Sequence, residues 1–254
     1  MTRMHLARAA LLPALLAAAL AVPSAQASAF FPGEETVLQV RYLNLPTGES
    51  RIVVGEPSGD VWPVIFQAKT NGIAGFVDVR EHLVSYWDSG ARTSRGSDLR
   101  AYEVGDYHQD SARFDRANRQ ATVTVQRKGR VTRKTFAIPE DVHDLTSALM
   151  WLRLQPLAPG QRYEIPVVAS SRQFTLVAQV LDREQVRTPA GTFAALRMQV
   201  RTQLEGKFST KRDTFLWVSD DPRHILVKAE ADFAIGSIVA TLKSYRPGAQ
   251  VAAR

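Results

Sequence analysis

Strict alternation of apolar and polar residues is the feature that most constrains this chain. Residues 196–203 alternate apolar side chains with arginine and glutamine, and residues 224–233 repeat the pattern. Successive side chains of a β-strand point to opposite faces, so a period of two predicts strands with one buried face. Less regular alternation predicts strands in nine further segments: Thr36–Tyr42, Ser50–Gly55, Trp62–Lys69, Ala121–Gln126, Val131–Ile138, Tyr163–Val168, Phe174–Val180, Ser209–Val218 and Ser237–Tyr245.

Tight-turn residues separate these segments and favour antiparallel hairpins. Pairs such as Asn71-Gly72 and Lys128-Gly129 supply the positive φ angles that short hairpin turns require. Two segments fit the strand pattern less well. Ser89–Asp98 is rich in glycine and serine, which indicates either a hinge or a long surface loop within one domain. Phe76–His82 carries a faint helical pattern that permits a short second helix.

One segment has clear helical periodicity. Apolar residues at positions 145, 148, 149 and 152 fall on one face of a helix. Asp144 is suited to cap its start, and Pro156 ends it. Many short antiparallel strands with one such helix predict a mainly all-β protein. We expect an antiparallel curved sheet or open β-barrel, with one packed α-helix near residues 144–154.

The N-terminus has the composition of a secretory signal peptide. Two arginines precede the apolar run Ala9–Val22, which is shorter than the roughly 20 residues that a membrane-spanning helix needs. Two overlapping small-x-small motifs end at Ala27 and Ala29, and we favour the later one, which leaves Phe30 as the first mature residue. We therefore expect an exported protein with no transmembrane segment after cleavage. The predicted divisions are a signal peptide at 1–29, a single β-rich domain at 30–245 and a frayed tail at 246–254.

Composition excludes several classes of site. The chain has no cysteine, which rules out disulfides, thiolate zinc sites, iron–sulfur clusters and cysteine nucleophiles. The histidines lack the close spacing of a zinc site, and the Gly-x-Ser-x-Gly motif of serine hydrolases is absent. We predict no catalytic residue, no metal and no cofactor. Four histidines have a carboxylate within three residues, a frequency expected by chance: His82, His108, His143 and His224.

A basic run lies around a predicted hairpin. The whole chain carries a net charge of +7, and loss of the two N-terminal arginines leaves 30 basic against 25 acidic residues, or +5. The run could dock on anionic lipid head groups or another anionic polymer. Alternatively, its cations protect a strand edge from pairing with other chains. Nucleic acid is not predicted as a partner, because no aromatic residues interleave the cations. The five residues are Arg127, Lys128, Arg130, Arg133 and Lys134.

Aromatic residues and one arginine form the candidate ligand site. Trp62, Trp151 and Trp217 could line a cavity for a lipid or glycan, although core packing is the ordinary role of such residues. Arg153 suits the negative end of the helix dipole. If the helix is buried, its guanidinium must pair with a carboxylate or a ligand anion.

Several short motifs follow one another in a characteristic order. They are Phe31–Glu34, Tyr42 with Pro46–Gly48, Asp144–Leu149 with Leu152 and Arg153, Pro159-Gly160, Thr188–Phe193, Trp217–Asp221 and Gly236–Ile238. This ordered set resembles a family of bacterial exported proteins known as domain of unknown function 3108, over nearly the whole mature chain. The resemblance implies a β-rich fold and a Gram-negative periplasmic location, and it implies no activity.

Three functions fit these observations. The first is a non-enzymatic periplasmic protein that binds an apolar or amphiphilic component of the cell envelope, such as a lipid or glycolipid, inside the curved sheet. The second is an envelope scaffold or assembly factor that docks on a protein partner through a sheet edge or the basic run. The third is a hydrolase of envelope material, which requires a histidine and carboxylates to converge in one cleft.

Overall fold

Hairpins between strands that are neighbours in the sequence generate nearly all of the architecture. The computed structural model describes residues 29–70, 78–103, 105–204, 207–208, 214–233 and 236–249. In these residues the backbone forms fifteen β-strands and one α-helix, α1 (Leu145–Arg153). The strands are β1 (Glu35–Tyr42), β2 (Leu45–Val54), β3 (Val61–Thr70), β4 (Val79–Asp88), β5 (Thr93–Glu103), β6 (Asp106–Asp115), β7 (Gln120–Arg127), β8 (Arg130–Ala137), β9 (Arg162–Ala169), β10 (Arg172–Thr188), β11 (Gly191–Leu204), β12 (Lys207–Phe208), β13 (Thr214–Ser219), β14 (Leu226–Phe233) and β15 (Gly236–Arg246).

Fourteen of these strands form one sheet with antiparallel pairing throughout. Their order is β8-β7-β6-β5-β4-β3-β2-β1-β15-β14-β13-β11-β10-β9, and β12 pairs with β11 beside it. The first strand pairs with the last, with Leu38 opposite Leu242, so the two runs of hairpins join into one sheet. Consequently β8 and β9 are its terminal strands.

The segment between β8 and α1 connects the two halves of the sheet. His143 forms a parallel bridge with Val167 of β9, and its carbonyl accepts a hydrogen bond from the Val168 amide at 2.8 Å. The carbonyl of Val142 accepts from the amide of Ser94, a β5 residue, at 3.4 Å. Because one short segment bonds to both β5 and β9, the sheet curves into a barrel-like shape with its ends brought together.

The helix packs inside this curved sheet. Met150 is fully buried in a cluster with Leu38 and Val64 of the first hairpin run. Ala148 and Leu152 pack in a second cluster with residues of β9, β10, β11 and β13. The predicted curved antiparallel sheet with one packed helix is confirmed. Among the described residues, no helix has the length and apolar character required to cross a membrane.

Three local predictions differ from the structure. The faint helical pattern at Phe76–His82 is wrong for residues 79–82, which begin β4, and residues 71–77 lie outside the described part. The predicted hinge or surface loop at Ser89–Asp98 reduces to a short turn, since β5 begins at Thr93. Gly96 belongs to that strand at φ +130°, where any Cβ would collide with the Ala112 carbonyl oxygen. Its presence therefore reflects close strand approach rather than a loop.

The predicted frayed tail at 246–254 differs from the structure where the structure describes it. β15 continues through Arg246, and the amide of Ala249 donates to the Pro32 carbonyl at 3.0 Å. The prediction is therefore wrong for these two residues, and residues 250–254 lie outside the described part. Residues 1–28 of the predicted signal peptide also lie outside it, whereas its last residue, Ala29, is buried.

Candidate functional site

A cavity of about 320 Å³ opens between the inner faces of β4–β7, the β9–β10 turn and the start of α1. Its lining has two parts with different chemistry. The apolar part consists of Leu83, Leu99, Ala112, Val123, Leu145, Val168 and Ala169. The charged part consists of Glu81, Glu103, His108, Asp110, Arg127 and Asp144.

Strand register places the charged residues on one face. Glu81 lies opposite Ala101, which lies opposite His108, which lies opposite Arg127, so the row crosses β4, β5, β6 and β7. Directly opposed residues in antiparallel strands share a face of the sheet. Asp110 follows His108 by two positions and therefore also faces inward. The hairpin register alone gathers these groups at one end of the barrel.

Exposure divides the cavity along the strands. Ala112 and Val123 are only 7% and 3% exposed. Glu103, by contrast, is an exposed residue, and the Arg127 side chain is 57% exposed. The deep end, which includes Ala112 and Val123, is therefore mainly apolar, with the buried Asp144 carboxylate as its charged member, and the exposed charges lie at the open end.

Burial raises the pKa of two carboxyl groups in the cavity. Burial raises the pKa of Glu81, the charge of Glu103 raises it further, and His108 opposes the rise. Burial also raises the pKa of Asp110, while His108 and Arg127 oppose this rise. The Nδ1 atom of His108 and the Oδ1 atom of Asp110 are buried without a hydrogen-bond partner among the described residues. The cluster thus has polar capacity that the protein itself leaves unused.

This arrangement can bind polar or cationic groups and can exchange protons. A protonated carboxyl group donates as well as accepts hydrogen bonds, and a raised pKa extends the pH range in which the group is protonated. In the described part of the chain, no three histidine, aspartate or glutamate side chains are grouped so that they could hold a metal ion.

The predicted basic run does not form a single-faced patch. Arg127 belongs to the inner face and forms an ion pair with Asp106, which lowers the pKa of that carboxyl. Lys128 occupies the turn at φ 50°. Lys134 lies opposite the inward-facing Val123, whereas Arg133 lies opposite Thr124 and points to the other face. Arg130 lies opposite Arg127, so it shares the inner face at the exposed sheet edge.

The predicted ligand-binding tryptophans lie outside the cavity lining. Trp62 makes an edge contact with Phe30 at 6.2 Å between ring centroids, and Trp151 makes one with Tyr163 at 6.1 Å. Trp217 is 5% exposed and lies on the outer face of β13, with the Lys228 ammonium 4.0 Å from its ring centroid. These contacts correspond to the packing alternative, and the ligand-binding role stays a prediction.

Arg153 makes a buried ion pair within the protein. Its Nη1 and Nη2 atoms donate to the two carboxylate oxygens of Glu34 at 2.7 and 3.2 Å. The carbonyls of Ala29 and Arg223 accept further hydrogen bonds from the same guanidinium. The sequence required a buried Arg153 to pair with a carboxylate or a ligand anion. In the structure this partner is the carboxylate of Glu34.

From the sequence, Asp110 beside His108 and Glu81 beside His82 were interpreted as chance neighbours, and Glu103 was not singled out. One signal was present: Asp106, His108 and Asp110 follow one another at intervals of two. In a strand this spacing puts all three on one face.

The sequence profile described as protein of unknown function DUF3108 matches residues 37–243. The chain belongs to this family. The resemblance inferred from the ordered motifs is therefore confirmed. A comparison with curated proteins gives no match.

Solved structures support the fold of this DUF3108 chain. A β-barrel-like protein of domain of unknown function DUF1849 from Brucella abortus has a TM-score of 0.61 at 8% identity, covering 86% of this chain and 98% of that one. A protein named as a lipoprotein from Parabacteroides distasonis has a TM-score of 0.32 at 12% identity, covering 86% and 98%. A protein named as an exported protein with a YmcC-like fold from Bacteroides fragilis has 0.31 at 10%, covering 85% and 98%. Only the first likeness is close enough to support the barrel-like fold.

Proposed function

We propose that this DUF3108 protein is a non-enzymatic binding protein of the periplasm that holds an amphiphilic envelope component in the cavity of β4–β7. The observation that carries the proposal is that this cavity combines a mainly apolar deep end with exposed charged residues at its open end. Export is supported by the signal-type N-terminal sequence, in which a short apolar run precedes small-x-small motifs.

The deep end suits the apolar part of such a ligand. A volume of about 320 Å³ falls at the lower end of the range for small-molecule pockets, roughly 300 to 1,000 Å³. Leu83, Leu99 and Val168 contribute apolar surface there. Each methylene moved from water into such surroundings contributes about 0.8 kcal/mol. A short alkyl segment is therefore enough for measurable affinity.

The open end suits a polar head group. The unpartnered Nδ1 of His108 and Oδ1 of Asp110 would each gain a hydrogen bond from a bound polar group. Leaving a buried polar atom unpaired costs about 1 to 3 kcal/mol, so a ligand that pairs it recovers part of that cost. Hydroxyl and ammonium groups can donate to the Asp110 oxygen.

Native mass spectrometry of protein purified from the periplasm of its own host tests the proposal. We expect wild-type protein to carry a bound amphiphile, and Leu83→Gln to lose at least nine-tenths of it because the substitution makes the deep end polar. The neighbouring Val84 points to the opposite face of β4, so Val84→Gln is the matched control and should retain the ligand. Ligand-free spectra for wild type, or equal loss in both variants, would reject the proposal.

The hydrolase alternative is favoured by one observation. His108 and the carboxyl groups of Asp110 and Glu81 line the same cavity, which is the convergence that such an enzyme needs. The experiment separates the two functions. Recovery of hydrolysed fragments from wild type, with intact amphiphile retained by His108→Gln, would assign hydrolysis instead of binding.

The scaffold alternative is favoured by the terminal strand β8. Among the described strands it pairs with β7 alone, its residues 130–135 are exposed, and Val131 is 65% exposed. Such an edge can add a strand from a protein partner, whereas its cations discourage unselective pairing. The same cations could instead attract anionic lipid.

Charge reversal distinguishes these roles of β8. We compare wild type with Arg130→Glu/Arg133→Glu and with a control of equal charge change, Arg172→Glu/Arg187→Glu, on exposed positions of β10. Lipid docking predicts salt-sensitive co-sedimentation with anionic vesicles that only the β8 variant loses. A scaffold predicts no vesicle binding and a specific cross-link from position 131 in cells, absent in the β8 variant. If the cations only protect the edge, we expect neither vesicle binding nor a specific cross-link, and the β8 variant should aggregate more than wild type.

A further inference from the structure

Alternate hairpin turns lie at the same end of the barrel. The β1–β2, β5–β6, β7–β8 and β9–β10 turns belong to the end where the cavity opens, because each of these antiparallel pairs reverses direction there. This end is termed the mouth end. Directly opposed residues connect β2 to β6 near these turns, in the order Glu49, Lys69, Arg80, Tyr102 and Tyr107.

Exposed hydrophobic side chains gather at the mouth end. Six large hydrophobic side chains are exposed in the described part of the chain, and one of them, Leu145, lines the cavity. The other five lie at turns or strand ends of the mouth end, whereas turns of the opposite end expose residues such as Glu56 and Asp220. Exposed hydrophobic residues that are scattered singly need no explanation, but a set confined to one end marks an interaction surface. The five are Leu43, Leu45, Tyr107, Val131 and Leu204.

The β1–β2 turn carries the clearest sign of an external contact. Leu43 and Asn44 form this two-residue turn at φ 47° and 65°, a conformation for which asparagine and glycine are the favoured residues. A leucine with positive φ is an outlier, and Leu43 is also 60% exposed. Leu45, directly after the turn, is 57% exposed. The fold alone gives no reason for a leucine at position 43, whereas an apolar surface outside the protein would.

Cations accompany the hydrophobic residues of the mouth end. Lys69, Lys128 and Arg130 are exposed there. In the cavity lining, the exposed carboxylate is that of Glu103, and the neighbouring Asp106 forms an ion pair with an arginine. The mouth end therefore presents positive charge between its apolar tips.

We propose that the mouth end docks on an anionic phospholipid bilayer. The side chains of Leu43 and Leu45 enter the head-group region, and the cations face the lipid phosphates. Interfacial binding of this kind combines burial of apolar area with attraction to anionic lipid. The hydrophobic residues belong to separate hairpins around the cavity opening with cations between them, which fits a broad anionic surface better than a single peptide.

Docking in this orientation turns the cavity opening towards the bilayer. The opening is lined by Glu103, Arg127 and the Ser170-Ser171 turn, all of the mouth end. An amphiphile can then pass between the cavity and the membrane without crossing water. This passage rests on the proposed function, whereas docking itself needs no bound ligand.

Co-sedimentation of the periplasmic protein with vesicles tests the proposal. We expect binding to vesicles of phosphatidylglycerol and phosphatidylethanolamine that weakens with added salt, and little binding to phosphatidylcholine alone. Leu43→Asn/Leu45→Thr should lower the affinity about tenfold or more, since two side chains lose their apolar contact. Its melting temperature should not fall, because asparagine suits the turn. Ala117→Asn, at an exposed turn of the opposite end, is the control and should bind like wild type.

Several outcomes would overturn the proposal. They are absence of vesicle binding by wild type, full binding by the Leu43→Asn/Leu45→Thr variant, equal loss in Ala117→Asn, and binding that depends on the β8 cations alone. The cavity variant Leu83→Gln should dock like wild type. Docking by a protein that carries no amphiphile would reject the proposed cavity function alone, and a bound amphiphile without docking would reject this inference alone.

Discussion

Individual buried ionisable residues determine how this protein should respond to pH. His143 is 1% exposed, stacks on Trp87 at 6.2 Å and approaches Ser147 Oγ at 3.3 Å from its Nδ1 atom. Burial lowers the pKa of His143 from 6.5 to about 4. The imidazole is therefore neutral in the folded protein at every pH above that value.

His143 should make the fold less stable in acid. Between pH 6.5 and about 4, the unfolded chain binds a proton that the folded chain does not, so stability falls as pH falls through this window. The full loss is about 3 kcal/mol. Urea unfolding at several pH values should show this slope in wild type and a smaller slope in His143→Gln. An imidazole that titrates near pH 6.5 by NMR in the folded protein would contradict the prediction.

Glu81 should act in the opposite direction. Because burial raises its pKa, the folded protein holds a proton more tightly than the unfolded chain, and stability falls as pH rises through the raised value. Glu81→Gln should therefore stabilise the protein at pH 7, with the advantage disappearing below about pH 4, where the unfolded glutamate is also protonated. Thermal unfolding at both pH values measures the difference. The exposed substitution Glu56→Gln is the control, and a Glu81→Gln gain that persists in acid would exclude this explanation.

At the scale of elements, the carboxylate of Asp144 binds the start of α1 to two strands of the sheet. The Asp144 Oδ1 atom accepts from the amides of Thr146 and Ser147 at 2.9 and 3.0 Å. Its Oδ2 atom accepts from the hydroxyls of Ser85 on β4 and Ser94 on β5, each at 2.6 Å. The predicted N-cap is confirmed, and the same carboxylate also attaches the helix to the sheet.

Asp144→Ala should cost more than an ordinary N-cap deletion. A cap alone contributes about 0.5 to 2 kcal/mol, whereas this change also leaves the buried Ser85 hydroxyl without its acceptor and removes one of the two acceptors of Ser94. We expect the free energy of unfolding to fall by about 3 kcal/mol or more. Urea denaturation checks this value, with the nearby exposed Asp141→Ala as the control. A loss equal to that of the control would mean that the bonds to the sheet contribute nothing.

At the scale of the whole molecule, one buried ion pair joins distant parts of the chain. Arg153 ends α1, Glu34 precedes β1, and the Tyr245 hydroxyl of β15 donates to Glu34 at 3.1 Å. Burial and the charge and hydrogen bond of Glu34 raise the pKa of Tyr245 to about 12, so this hydroxyl remains a donor. The pair fixes the helix end where the first and last strands meet.

A double-mutant cycle should show strong coupling within this pair. Arg153→Met leaves the Glu34 carboxylate buried without its counterion and should destabilise the protein by about 3 to 5 kcal/mol. Adding Glu34→Gln removes that charge, so the double variant should be more stable than Arg153→Met alone. The exposed pair of Arg162 and Glu164 provides a control cycle with coupling below about 1 kcal/mol. Additive losses at Arg153 and Glu34 would contradict the prediction.

Three strands that the alternation did not predict, β4, β5 and β6, line the cavity together with the predicted strands β7 and β9. β11 and β14 follow the alternation closely because one face of each is apolar. In β4, β5 and β6 the inward positions include Glu81, Glu103, His108 and Asp110, so both faces are polar near the open end. Period-two patterns detect strands through their apolar face. Polar residues at inward positions break the alternation, so the strand that carries them is not recognised from its sequence.

The sequence by itself determined the features that depend on neighbours within a few positions. These are the alternating strands, the turn at Lys128-Gly129 and the cap at Asp144, because side-chain spacing and backbone hydrogen bonds act over short separations along the chain. The cavity, the partner of Arg153 and the burial of Phe30 were decided only by the tertiary structure. Glu34 and Arg153 are 119 positions apart, and they meet because the sheet curves around the helix. Curvature and closure depend on all the strands together, so no local pattern records them.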